Sequence, residues 1–188
     1  MMLKGILKSS FILALPLLAA CGATSPESTV RPGWQQQFAE ELPLLGHRNW
    51  IIVADKAFPE LKAEGITYIN TGSRLLPVLK DVLAGVGASG HVKPILYRDQ
   101  ELNYISESQS AGITAFRDSA TAMLKGNNIR EMLHDSVFAK LDAAAGMFRV
   151  VVLKTDEQLP YTSVLLELDC AYWNAEKEAA LRKAMAAK

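Results

Sequence analysis

His47 and Asp55 bracket one short apolar run in residues 42–59, LPLLGHRNWIIVADKAFP. A histidine and a carboxylate are the residue types that do acid/base work near neutral pH. The run between them, Trp50 to Ala54, is too short for a helix and rich in β-branched residues, which predicts a strand buried on both faces, as in a parallel sheet. Asp55 then sits at the carboxyl end of that strand, where ligands bind in open α/β sheets. His47 enters from the preceding turn, where Gly46 allows a tight bend, and Pro59 ends the segment. The competing reading makes His47 a loop histidine and Asp55 a plain cap.

Other chemistries find less support. Twenty Lys and Arg balance twenty Asp and Glu with no basic cluster, so nothing argues for nucleic acid. The three histidines, His47, His91 and His134, are scattered without a His-x-x-x-His spacing, and the only cysteines are Cys21 and Cys170, so no metal site is expected. The string GVGASG at residues 85–90 follows a helical pattern rather than a strand, which makes it a helix end and loop, not a phosphate loop. No cofactor is implied.

The elements that must hold His47 and Asp55 follow from periodicity. With 49% hydrophobic and 21% charged residues, 188 residues describe one globular domain with a short appendage. Trp34, Phe38, Leu42 and Leu45 share a helical face that Pro43 must end or bend. Ile66 to Ile69 predicts a strand, and Leu75, Leu76, Leu79, Leu83 and Val86 a helix broken by Gly85, Gly87 and Gly90. Val92 to Tyr97 is a third strand, and residues 98–111 are polar enough for a long surface loop of the kind that carries function. Phe116, Ala120, Met123 and Leu124 mark a helix stopped at Gly126. Another helix starts around Asp135, with Val137, Phe138, Leu141 and Ala145 inward. Val150 to Leu153 and Val164 to Leu168 are the last strands. The sum is an α/β protein, a three-layer α/β/α sandwich on a mixed, mainly parallel central sheet.

At the N-terminus, Lys4 and Lys8 precede an apolar run from Phe11 to Leu18 that is too short to span a bilayer, so residues 1–20 read as a signal peptide. Leu18-Ala19-Ala20-Cys21 resembles the lipobox of bacterial lipoproteins, in which the cysteine is lipidated and becomes the mature N-terminus. The resemblance implies a membrane anchor at Cys21 and a place in the cell envelope, on the periplasmic face of the outer membrane where the source has two membranes. Residues 21–33 then form a flexible tether, 34–173 the domain and 174–188 a helical extension.

Gly46-His47, then Asp55 eight positions on, then Pro59, and finally Glu157 followed by Pro160-Tyr161 resemble the D-ribose pyranase and L-fucose mutarotase family. The resemblance runs in order from Leu42 to Leu168. It implies a three-layer α/β/α fold, rings with sites shared between subunits, and cofactor-independent interconversion of anomers or ring forms of a free monosaccharide, an intramolecular isomerase activity. Opening a hemiacetal takes one proton from the anomeric hydroxyl and gives one to the ring oxygen. By resemblance, His47 does the transfer, Asp55 orients it or holds a sugar hydroxyl, and Tyr161 donates from its phenol. His134 and Lys140, straddling Phe138, are similar to a His-x-x-Phe-Lys stretch that contacts the sugar, with one residue added on each side of Phe138. Their competing readings are structural, Tyr161 as a boundary tyrosine and Lys140 as a solvated helix position.

Four positions depart from the motifs. Asn49 replaces a second aspartate, Lys56 an alanine, Asp156 the glycine before Glu157, and Ser163, at a sugar-binding position, an asparagine. Three classes of function follow: a mutarotase or pyranase, a sugar-binding or sensing lipoprotein without turnover, and a structural lipoprotein of the same fold.

Overall fold

The five residues of β1 (Trp50–Ala54) are all buried, because the strand lies third in a six-stranded sheet with helices packed on both of its faces. The computed structural model describes residues 33–187. The signal peptide, Cys21 and nearly all of the expected tether lie outside them. The chain begins with helix α1 (Trp34–Glu41) and a 3-10 turn at Leu42–Leu44, where Pro43 ends the α-helix. After β1 come β2 (Ile66–Asn70), α2 (Leu75–Ser89), β3 (Val92–Asp99), a 3-10 helix (Gln100–Tyr104), α3 (Ile113–Leu124), β4 (Ile129–Met132), α4 (His134–Ala145), β5 (Val150–Lys154), β6 (Val164–Cys170) and α5 (Ala175–Ala186).

The strand order is β2-β5-β1-β6-β3-β4. β1 runs parallel to β5, β5 to β2, and β3 to β4, whereas β6 is antiparallel to both β1 and β3. Five strands therefore point one way, and their carboxyl ends share one edge. Successive side chains of a strand face opposite sides. Ile51 and Val53 enter the core under α1, α2 and α3, and Trp50, Ile52 and Ala54 enter the core under α4. This is the expected three-layer arrangement on a mixed, mainly parallel sheet. No residue of α5 is buried. Among the described residues no helix is long and apolar enough to cross a membrane.

Three local expectations are corrected. Gly85 and Gly87 do not break α2, which runs on to Ser89 and is closed by Gly90 at φ 70°. A Cβ on Gly85 would lie 3.3 Å from the Phe38 ring, so the glycine lets α1 pack close. The surface loop expected from residue 98 begins later, since Arg98 and Asp99 continue β3 and both are buried. β4, Ile-Arg-Glu-Met, is a polar edge strand with too little apolar alternation to be read from sequence.

The turn before β1 also differs from expectation. Its positive φ falls on Arg48 (73°), not on Gly46. Asn49 closes the turn by accepting the Gly46 N–H at 2.6 Å, and its own N–H donates to the Gly46 carbonyl. One departure from the motif is thus the residue that shapes the turn.

Candidate functional site

Asp55 leaves β1 at the shared carboxyl edge of the sheet, where β3 also ends at Asp99 and α4 begins at His134. With Tyr161 and Ser163 from the segment before β6, these residues line a cleft of about 310 Å³. Ala57, Phe58, Pro59, Phe138, Pro160 and Leu165 complete it. Part of its wall is apolar, with Phe58 and Phe138 stacked at 5.4 Å between ring centroids, and Asp55, Asp99, His134, Tyr161 and Ser163 are its polar residues. That combination of an apolar lining and a few convergent polar groups is typical of small-molecule sites.

Each polar group has a structural cause. Asp55 Oδ1 accepts the Ala57 N–H at 2.9 Å, a turn-closing bond, and Oδ2 accepts the Ser163 hydroxyl at 2.8 Å. Ser163 Oγ in turn accepts the Asp55 N–H at 2.9 Å. Tyr161 holds φ 56°, unusual for a bulky residue, and its ring meets that of His134 edge to face at 5.2 Å. Buried Glu157 anchors the segment leading to it, accepting Arg74 at 2.9 Å and the N–H groups of Gln158 and Leu159. Lys56 and Asp156, two further departures from the motif, pair with each other at 2.5 Å across the adjoining loops.

Asp99 was not among the residues singled out from sequence. It is 2% exposed, and its Oδ2 lies 2.8 Å from His134 Nδ1. Its Oδ1 is buried without a hydrogen-bond partner among the described residues. Burial pushes the Asp99 carboxyl above the usual aspartate range, while the hydrogen bond and charge of His134 pull it down. The only sequence signal for it was a charged pair, Arg98 and Asp99, following an apolar strand, a pattern common to strand ends in general.

The structure brings together Asp55, Tyr161, His134 and Ser163, and separates His47 and Lys140 from them. His47 stands at the amino end of β1, and the five-residue strand between it and Asp55 spans roughly 16 Å on its own. His47 is half exposed and lies 3.6 Å from Asp169 at the end of β6. Lys140, nearly two turns along α4 from His134, sits over Trp50 and Tyr97 and pairs with Glu167 at 3.4 Å. Both line a second, shallower groove with Arg48, Phe148 and Glu167. There Tyr97 donates to Glu167 at 2.6 Å, and burial and that carboxylate push its phenol up to about 12. His47 and Asp55 therefore do not act on one small molecule within a single chain. Among the described residues no group of three or more His, Cys, Asp or Glu side chains is placed to hold a metal ion.

No protein-family model matches the sequence, and no curated protein sequence does. Among solved structures, RbsD of Bacillus subtilis complexed with D-ribose is similar at 20% identity and a TM-score of 0.49, covering 71% of this chain and 91% of that one. The fucose mutarotase of Streptococcus pneumoniae in complex with L-fucose is similar at 13% identity and a TM-score of 0.49, again over 71% and 91%. FucU of Bifidobacterium longum is similar at 17% identity and a TM-score of 0.45, over 71% of this chain and 94% of its own.

Proposed function

We propose that this protein interconverts anomers or ring forms of a free monosaccharide by acid/base proton transfer in the cleft at the carboxyl edge of its sheet. The observation that carries this reading is the convergence there of Asp55, His134 and Tyr161, three residues of the motif resemblance, on one cleft of sugar size. Among the described residues no Lys or Arg lines it, so the cleft suits an uncharged sugar better than a phosphorylated one. Phe58 and Phe138 offer an apolar wall to the C–H face of a sugar ring.

The reaction needs no cofactor. His134 Nε2 accepts the proton of the anomeric hydroxyl while Tyr161 donates its phenolic proton to the ring oxygen as the C1–O bond breaks. Rotation about C1–C2 turns the free aldehyde, a sugar hydroxyl attacks it from the other face, and the two protons return to their donors. Asp55, fixed by Ser163, holds a neighbouring sugar hydroxyl. His47 reaches the same sugar only from a second copy of the chain, in keeping with the shared sites that the resemblance implies.

Saturation-transfer NMR on free pentoses and 6-deoxyhexoses tests this reading. The expected result is anomer exchange above the spontaneous rate. Protection from thermal unfolding by a sugar without such exchange would instead favour a binding lipoprotein. We further infer from the lipobox that Cys21 carries lipid and anchors the domain in the cell envelope. Cys21→Ser should release it from membranes, and an intact mass with unmodified Cys21 would overturn that inference.

A further inference from the structure

The two nitrogens of the His134 ring stand in different surroundings. Nδ1 faces the buried Asp99 carboxylate at 2.8 Å, and Nε2 has no hydrogen-bond partner among the described residues of a chain whose cleft the ring lines. The backbone of His134 is held as firmly as its ring. Its N–H, the first of α4, donates to both oxygens of Glu101 at 3.0 and 3.1 Å. Leu133, at the cap position, supplies no side-chain bond, so the 3-10 helix after β3 caps α4 from outside it. Two carboxylates two residues apart thus fix one histidine at ring and backbone, with the Phe138 ring at 4.7 Å and the Tyr161 ring at 5.2 Å limiting its rotation.

We propose that Asp99 is a positioning residue that holds His134 in its Nδ1–H tautomer, so that Nε2 is the free base facing the cleft. Placing the inference in catalysis rests on the mutarotase reading above; the tautomer itself does not. An ionised carboxylate can only accept, so it selects the tautomer with the proton on the nitrogen it faces. A hydrogen bond of this kind also sets the ring's orientation. Among the described residues the charged or titratable groups around the imidazole are Asp99 from β3, Glu101 from the 3-10 helix, Asp135 on α4, Asp55 after β1 and Tyr161 before β6, and none of them is a Lys or Arg side chain. A buried carboxylate with an unpartnered Oδ1 is a poor structural choice, because such an oxygen costs stability and an uncharged residue would avoid it. A role toward His134 and the cleft gives it a reason to be there.

The test uses the full chain with ¹⁵N-labelled histidine. Above the ordinary imidazole titration range, long-range ¹H–¹⁵N spectra should show His134 as the Nδ1–H tautomer, and Asp99→Asn, whose amide can donate or accept, should give a mixture or the Nε2–H form. Wild-type His134 in the Nε2–H form would overturn the proposal, whether or not the protein acts on sugars. In the exchange assay Asp99→Asn should lower kcat by about 10² to 10⁴ with KM moved only a few-fold, and Asp99→Glu should restore part of it. An active wild type with Asp99→Asn within about threefold of it in kcat would also overturn the proposal. A wild type with no exchange but an Nδ1–H His134 would sink the mutarotase reading alone.

Discussion

The two ends of β1 carry the same kinds of residue but differ in how deeply the histidine's carboxylate partner is buried. At the carboxyl end Asp99 is 2% exposed with one oxygen unpartnered, and Asp55, His134 and Tyr161 stand around an apolar wall. At the amino end the charges have opposite partners or an aromatic face. His47 and Lys93 share Asp169, Lys140 pairs with Glu167, and Arg48 lies over the Phe148 ring at 5.9 Å. His47 is 56% exposed in its side chain. Screening by water makes the exposed pairs at that end worth little, whereas burial of Asp99 at the other end strengthens its interaction with His134. The difference teaches that a histidine and an aspartate near one another in sequence need not serve one site.

The largest expected effect breaks or sustains that comparison directly. In the proposed reaction His134→Ala removes the proton carrier, and should lower anomer exchange by about 10² to 10⁴. If His47 contributes from a second copy, separately impaired His47→Ala and His134→Ala proteins should recover activity when unfolded together and reassembled. Activity that stays at the impaired level would leave His47 outside the reaction. Next in size is Ile52→Ala, in the middle of the strand that keeps the two ends apart. Ile52 is fully buried between Val152 and Leu165. Its truncation should cost about 2 to 5 kcal/mol in denaturant unfolding, with no preference for either end.

A smaller effect separates function from stability at Asp99. Because burial raises its pKa above the unfolded value, its contribution to stability is fully present below the ordinary aspartate range. That contribution is lost as pH rises through the raised folded pKa. Asp99→Asn should therefore melt above the wild type at neutral pH, the gap closing as pH falls through the aspartate range. A lower melting temperature for the variant at neutral pH would mean that the pairing with His134 outweighs the burial. The smallest effect lies beside the cleft, at the exposed pair of Lys56 and Asp156. A double-mutant cycle with Lys56→Ala and Asp156→Ala should return a coupling of about 0.2 to 1 kcal/mol.

Legibility differed by element for physical reasons. β1 could be read because a strand with no polar face belongs in the middle of a sheet, and it lies there. Helix α2 could be read from its apolar face, but not its full length, since Gly85 and Gly87 lower helix propensity while the close approach of Phe38 at Gly85 belongs to tertiary packing. β4 could not, because a four-residue edge strand with one part-buried residue on each face carries too weak a pattern. The departures at Asn49, Lys56, Asp156 and Ser163 looked like losses in the motif. In the fold they bond to Gly46, to each other and to Asp55.

Sequence alone determined which residue types are present, the strand and helix periodicities, and the order in which the motif residues follow one another. It also put Asp55 at a carboxyl end, since a short apolar run before a charged residue leaves little choice. Tertiary structure decided which of those residues meet. A strand separates its two ends by about 3.3 Å for every residue, so His47 was carried away from Asp55 by the run that made both of them noticeable. Pairing β4 beside β3 with Met132 opposite Asp99, and starting α4 directly after β4, brought Asp99 to His134 from 35 positions away. Such contacts depend on the register and crossing of whole elements, which no local spacing encodes.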